Sequence, residues 1–255
     1  MKYFTEPIEG WRLNKINDRN TLSTKIINKS EVLLKYDGEV EIDISNLCSM
    51  IYEVSLFKDW VPFCGDSKDI KVVGPAAKVA WLKFDLPFIS DREGYFYGQG
   101  IDRMNSHGSI IIYCEGITGN KAVEKRLNLN LTKSAKTVEL DLKFLVVEIK
   151  LKGPGLYEVK AFGHLDIKMS FIPEFVLGFF SKKIGTFLME KLIKHANNIK
   201  GSEWEKRIKA NTDSFYPWLR EKVAGWGKLT SGHFGPELPP RPNDQPETSS
   251  KPKQP

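Results

Sequence analysis

Cysteine is scarce in this chain. Cys48, Cys64 and Cys114 are the three thiols among 255 residues, and none forms a CxxC pair. An odd number of scattered thiols excludes a disulfide framework and points to reduced, mostly buried side chains in a reducing compartment. Histidine is equally sparse: His107, His164, His195 and His233 stand apart, with no HExxH or Cys/His spacing. No metal and no cofactor is therefore expected. Long apolar runs are missing, since nothing approaches the roughly 18 residues of a membrane-spanning helix. Residues 1–12 lack the apolar core of a secretory signal, so the expected location is cytoplasmic. No internal repeat is visible.

Excess charge is missing from most of the chain as well. The formal net charge is +6, yet residues 182–228 hold eleven basic and five acidic side chains, which is the whole excess. A local basic surface asks what anionic partner it meets. What is present is a globular composition, with 41% hydrophobic, 27% charged and 11% aromatic residues. That excludes wholesale disorder, and the length allows one large domain with a proper core. The last stretch differs: residues 235–255 hold seven of the fourteen prolines and almost no large apolar side chain. The expected organisation is a folded domain over 1–226 and a Pro-rich disordered tail over 227–255. Leu238–Pro242 can offer a polyproline II ligand to an SH3- or WW-type partner, or be an inert solvated terminus.

Before the tail the pattern reads as strands, one helix, more strands and a long helix. Early strands are expected at 10–16, 21–27 and 31–44, the last broken by a hairpin at Asp37-Gly38. Leu47, Ile51, Val54 and Phe57 give a helix over 44–60, capped by Ser45 and stopped by Pro62. Strands follow at 70–73, 77–86, 94–101 and 109–116. Thr137–Leu151 and Leu156–Met169 form a strand pair joined by Gly153-Pro154-Gly155. In the first arm the alternation switches register near Phe144–Leu145, which predicts a bulge. In the second, Ala161 and Gly163 remove bulk from the dry face, as curvature or a cavity requires. After Pro173 a broad apolar face marks a helix of about five turns. A second helical stretch over 202–223 is interrupted at Pro217.

Three segments carry a family likeness. Leu86–Glu93 (LPFISDRE) resembles the turn between central strands of START lipid-transfer domains. Phe57–Phe63 (FKDWVPF) is similar to the segment that ends their middle helix. Asp166–Pro173 (DIKMSFIP) resembles their last strand and the opening of their C-terminal helix. The three fall in family order, and the likeness spans roughly residues 10–200. It implies an α+β, START-like helix-grip fold: a strongly curved antiparallel sheet gripping a long C-terminal helix. It further implies that residues 1–226 form a lipid-binding domain enclosing one lipid. The chain departs from the family at Phe96–Gly100, where some members carry an arginine, and near Gly178, where the family has an asparagine.

The function implied is binding of a single phospholipid or sterol in an internal hydrophobic cavity, and its transfer between membranes. Such cavities are mostly apolar with few polar groups. Expected lining residues on the strands are Trp81, Tyr95, Tyr97, Tyr113, Leu165 and Ile167, the four aromatics equally readable as sheet packing. Those on the helical segment are Phe171, Val176, Phe179, Phe180, Ile184 and Phe187. Lys182, Lys183, Lys191 and Lys194 are expected to dock transiently on an anionic membrane surface, making the protein peripherally membrane-associated. Asp91, Arg92 and Glu93 are read as a turn ion pair that fixes the strand connection, with a polar anchor near the ligand as the alternative. Nucleic acid is not expected, because the nearby aromatics form a buried-type stripe. Catalysis is not required. A helix-grip enzyme of the cyclase or hydrolase type stays as the alternative, beside a lipid-sensing adaptor that recruits partners through its tail.

Overall fold

Asparagines write the first two turns. Between β1 (Arg12–Asn17) and β2 (Asn20–Ile26), the Asn17 side chain accepts hydrogen bonds from the Arg19 backbone and the Asn20 amide, both at 2.9 Å. Between β2 and β3 (Glu31–Glu41), Asn28 Oδ1 accepts from the backbone N–H of Ser30 and of Glu31 at 3.0 Å. Such side chains mimic a backbone turn and reverse the chain without glycine. In this computed structural model the described residues are 10–87, 89–132, 134–170, 173, 187–210 and 214–232.

The hairpin expected at Asp37-Gly38 does not form, because β3 runs through it unbroken. Gly38 lies opposite Asn20 on one side and Val159 on the other. A Cβ there would fall 2.0 Å from Asn20 Oδ1 and 2.7 Å from the Tyr36 hydroxyl. Those two groups are hydrogen-bonded to each other at 2.6 Å. The glycine therefore makes room for a buried polar pair, not for a turn.

α1 (Ile44–Tyr52) is capped two residues earlier than expected. Asp43, not Ser45, is the N-cap and accepts from Asn46 N at 2.9 Å. The helix also stops sooner, at Glu53, and continues as a 3-10 turn over Val54–Asp59. This segment links β3 to β4 (Cys64–Gly74) at the far edge of the sheet. β5 (Ala77–Phe84), β6 (Arg92–Arg103) and β7 (Ser109–Gly116) follow, with α2 (Met104–His107) before β7. After α3 (Lys121–Arg126) come β8 (Val138–Glu139), β9 (Asp141–Gly153) and β10 (Leu156–Asp166). The strand order is β1-β2-β3-β10-β9-β7-β6-β5-β4, antiparallel throughout, with the two-residue β8 parallel to β6. The expected bulge exists: His164 pairs with Phe144 but Leu165 with Leu142, leaving Lys143 as the extra residue.

One face of the sheet carries the helices. Val40, Ile110, Ile149, Tyr157 and Val159 on that inner face are buried together with Leu47, Met50, Leu56, Trp60 and residues of the C-terminal helices. Helix 187–197, here α4, adds Leu188, Leu192 and Ile193 to this core. It is tied down by Asn46 Nδ2 donating to the Ala196 carbonyl at 2.8 Å and by Asn197 Nδ2 donating to the Glu41 carbonyl at 3.3 Å.

α5 (Glu203–Ala210) and α6 (Phe215–Gly232) close the described chain. Pro217 does not interrupt α6. It sits in the first turn, where a missing N–H costs no intrahelical bond. The buried Glu53 carboxylate holds both helices, accepting from Arg207 at 2.5 Å and from the Tyr216 hydroxyl at 2.6 Å. Helix α6 runs to Gly232, six residues past the expected domain end at 226. The proline-rich segment 233–255 lies outside the described residues.

Candidate functional site

Pairing registers fix which residues share the inner face. Starting from Leu34 on β3, one row crosses to Gly163 on β10, Leu145 on β9, Cys114 on β7, Gly98 on β6 and Lys78 on β5. The next row runs Tyr36, Ala161, Val147, Ile112, Gly100. Glycine, alanine and cysteine alternate here with aliphatic side chains, so the middle of this face is short of bulk. A Cβ on Gly98 would meet the Cys114 sulfur at 3.4 Å, so small size is compulsory on neither partner.

The Cys114 thiol lies deep, and burial pushes its pKa up to about 12. Its side chain is nevertheless not fully covered. Lys78 bounds the row. It is buried, donates to Asp69 at 3.0 Å, and stands 3.6 Å from the centroid of Tyr52. The face is thus apolar, with its one lysine already paired.

The four strand aromatics expected to line a lipid cavity lie on the opposite face of the sheet. Trp81 pairs with Tyr95, Tyr97 with Glu115, and Gln99 with Tyr113, all on the outer face. Their polar atoms find partners there. Tyr95 donates to the Thr132 carbonyl at 3.0 Å, Tyr97 to Gln99 at 3.0 Å and Tyr113 to Glu115 at 2.8 Å. The Lys68 ammonium sits 4.8 Å from the Trp81 ring. A phenol needs a hydrogen-bond partner when it packs, and the outer face supplies one.

Leu165 and Ile167 lie at the exit of β10. Leu165 faces inward opposite Val32 and Leu142, and Ile167 packs with Val32, Leu34 and Met169. Phe187 on α4 is 44% exposed, with the Lys191 ammonium 5.1 Å from its ring. Phe171, Val176, Phe179, Phe180 and Ile184, with Lys182 and Lys183, lie outside the described residues. Lys194 is exposed on α4. Further along the basic segment the cations are largely committed: Lys206 to Glu203 at 3.2 Å, Lys209 to Glu205 at 2.8 Å, and Arg207 to Glu53.

The 86–93 turn does structural work, although not as one internal ion pair. Arg92 is buried and donates to the carbonyls of Ile167 (2.9 Å) and Ser90. Asp91 pairs with Lys83 at 2.9 Å, and Glu93 accepts from Ser134 N at 2.9 Å. The start of β6 is thereby fastened to the exit of β10. Gly98, Ile112, Cys114, Leu145 and Val147 share the inner face and were not among the expected lining residues. The signal was available in the parity of Phe96-Tyr97-Gly98-Gln99-Gly100, which holds one small face and one polar face.

No family model matches the chain, and no curated protein matches it either. Solved structures do. Human STARD10 superposes with a TM-score of 0.64 at 17% identity, over 87% of this chain and 84% of that one. The fold is START-like. Human StAR-related lipid transfer protein 5 gives 0.61 at 13% identity, over 77% of this chain and 90% of that chain. A StAR-related lipid transfer protein from Xanthomonas axonopodis gives 0.57 at 13%, covering 74% of this chain and 99% of that one. In START-like terms the helix-bearing inner face is the gripping face, so the aromatics on β5, β6 and β7 face away from the grip.

Proposed function

We propose that this START-like chain binds one lipid against the inner face of its sheet and carries it between membranes. The observation that supports this best is the row Leu34, Gly163, Leu145, Cys114, Gly98: small or aliphatic, deep, and incompletely covered around Cys114. Two of the similar solved structures are named as lipid transfer proteins, which agrees with this reading. Sheltering an acyl chain from water stabilises the complex by about 0.8 kcal/mol per CH₂, so ordinary chains offset the loss of bilayer contacts. The mechanism is desolvation with no bond made or broken, and the ligand is a phospholipid or a sterol.

Native mass spectrometry of the full chain, expressed in a lipid-containing host, tests it. A discrete lipid adduct is expected, lost on mild organic extraction and regained from vesicles. Protein that carries no adduct and takes up neither labelled phospholipid nor labelled sterol would refute the proposal.

A further inference from the structure

The turn between β2 and β3 exposes two isoleucines, Ile26 at 38% and Ile27 at 49%. They do not sit on a loose loop. Ile27 N donates to the Glu31 carbonyl at 3.0 Å, and Asn28 ties the turn to Ser30 and Glu31. The turn is also fastened to the exit of β10. Ile167 N donates to the Ser30 carbonyl at 3.0 Å, and the Ile167 carbonyl accepts from the buried Arg92. An apolar tip is therefore held beside the point where the sheet releases the chain towards α4.

Its charge suits an anionic surface. Lys29 is exposed at the tip, while the nearby Glu31 is paired with His164 at 2.8 Å. The exposed apolar residues on β4, Ile70, Val72 and Val73, have cations that are already committed. There Lys68 pairs with Asp66 at 3.2 Å and Lys71 donates to the Leu127 carbonyl at 2.7 Å.

From these observations we infer that the protein docks on anionic bilayers through the β2–β3 tip. Ile26 and Ile27 enter the apolar boundary, and Lys29 meets the headgroups. This rests on the lipid-carrier reading and sharpens it, because it selects one end of the molecule. Lys191 and Lys194 lie on α4, whose C-terminal end is tied to Glu41 at the opposite end of β3. Eleven strand residues separate the two ends by roughly 33 Å at about 3.3 Å per residue. An interfacial contact reaches about 5–10 Å deep, so one docked orientation along β3 cannot use both.

The test uses the full chain with phosphatidylcholine vesicles, with and without phosphatidylserine. Burial pushes the native thiols up to about 12 (Cys48), 11 (Cys64) and 12 (Cys114), so an exposed introduced cysteine labels first. A polarity-sensitive fluorophore on Ile27→Cys should shift to the blue on phosphatidylserine vesicles, while the same probe on Lys194→Cys should not. Ile26→Ser/Ile27→Ser should sediment with these vesicles at least tenfold more weakly. Lys29→Glu should weaken sedimentation on the anionic vesicles alone. A shift at Lys194→Cys with none at Ile27→Cys overturns the inference, as does wild-type sedimentation by the double serine variant. Silence of the Ile27→Cys probe on every vesicle overturns it too, and would leave a protein partner for the tip. Extraction of labelled lipid by the unmodified chain is measured alongside; its loss would refute the carrier reading itself, whatever the probes report.

Discussion

Strands β5, β6 and β7 present two faces built from interleaved residues, and the faces are made by opposite means. Outward go Trp81, Tyr95, Tyr97 and Tyr113, each large, with local polar partners for the three hydroxyls. Inward go Ala80, Phe96, Gly98, Gly100, Ile112 and Cys114. An aromatic side chain fills space, and a face short of bulk is written in what its residues omit. The difference teaches that aromatic bulk does not tell which face of a two-faced sheet a residue joins. Parity relative to a known inward residue is the better marker.

The largest expected effect lies where the outer face departs from this division. Phe162 points outward on β10, yet it is 2% exposed, its ring 5.7 Å from Phe144 and 6.2 Å from Trp11. Phe162→Ala should cost about 3–5 kcal/mol, as truncation of a buried aromatic does. Urea unfolding measures it. A cost below about 1 kcal/mol would mean that this outer cluster collapses around the loss and is not a second core.

A sharper contrast comes from neighbours on one strand. Gly98 faces inward and Gln99 faces outward, one residue apart on β6. Leucine at 98 projects from the inner face, with an ordinary 3.4 Å contact between its Cβ and Cys114. Gly98→Leu should lower uptake of labelled lipid at least tenfold, at a stability cost of about 1–3 kcal/mol at most. Gln99→Leu should leave uptake as it is. Equal loss in both variants would abolish the distinction between the faces.

The strand pattern made the fold legible. The period-two alternation of β10 and the register switch in β9 predict the strand pair and its bulge, which falls at Lys143. Three short segments on that frame were enough for the helix-grip reading, and the solved structures agree. The misplaced features share a physical cause. Gly38, Pro217 and Ser45 were read from local propensity, but the Asn20–Tyr36 pair, the first turn of α6 and Asp43 decided their roles. Of the candidate site, placement by face was half legible. The inward direction of Leu165 follows from alternation, whereas choosing between the two faces of β6 needs partners distant in sequence. The pairing of Gly98 with Cys114 is such a contact, and no local pattern encodes it.

The smallest effect is the most direct check on orientation. Tyr113 donates to Glu115 on the outer face, and burial, then that carboxylate, push its pKa up from 10.0 to about 12. A phenol with a raised pKa keeps its proton in the folded state after the unfolded chain has lost it. Its contribution to stability is therefore complete below pH 10 and is lost as pH rises from 10 towards about 12. Tyr113→Phe should cost about 1 kcal/mol or less at neutral pH. It should also flatten part of the alkaline fall in Tm, while lipid uptake stays unchanged. If uptake falls with the hydroxyl instead, Tyr113 touches the ligand, and the outer face of β7 must be counted as part of the binding wall.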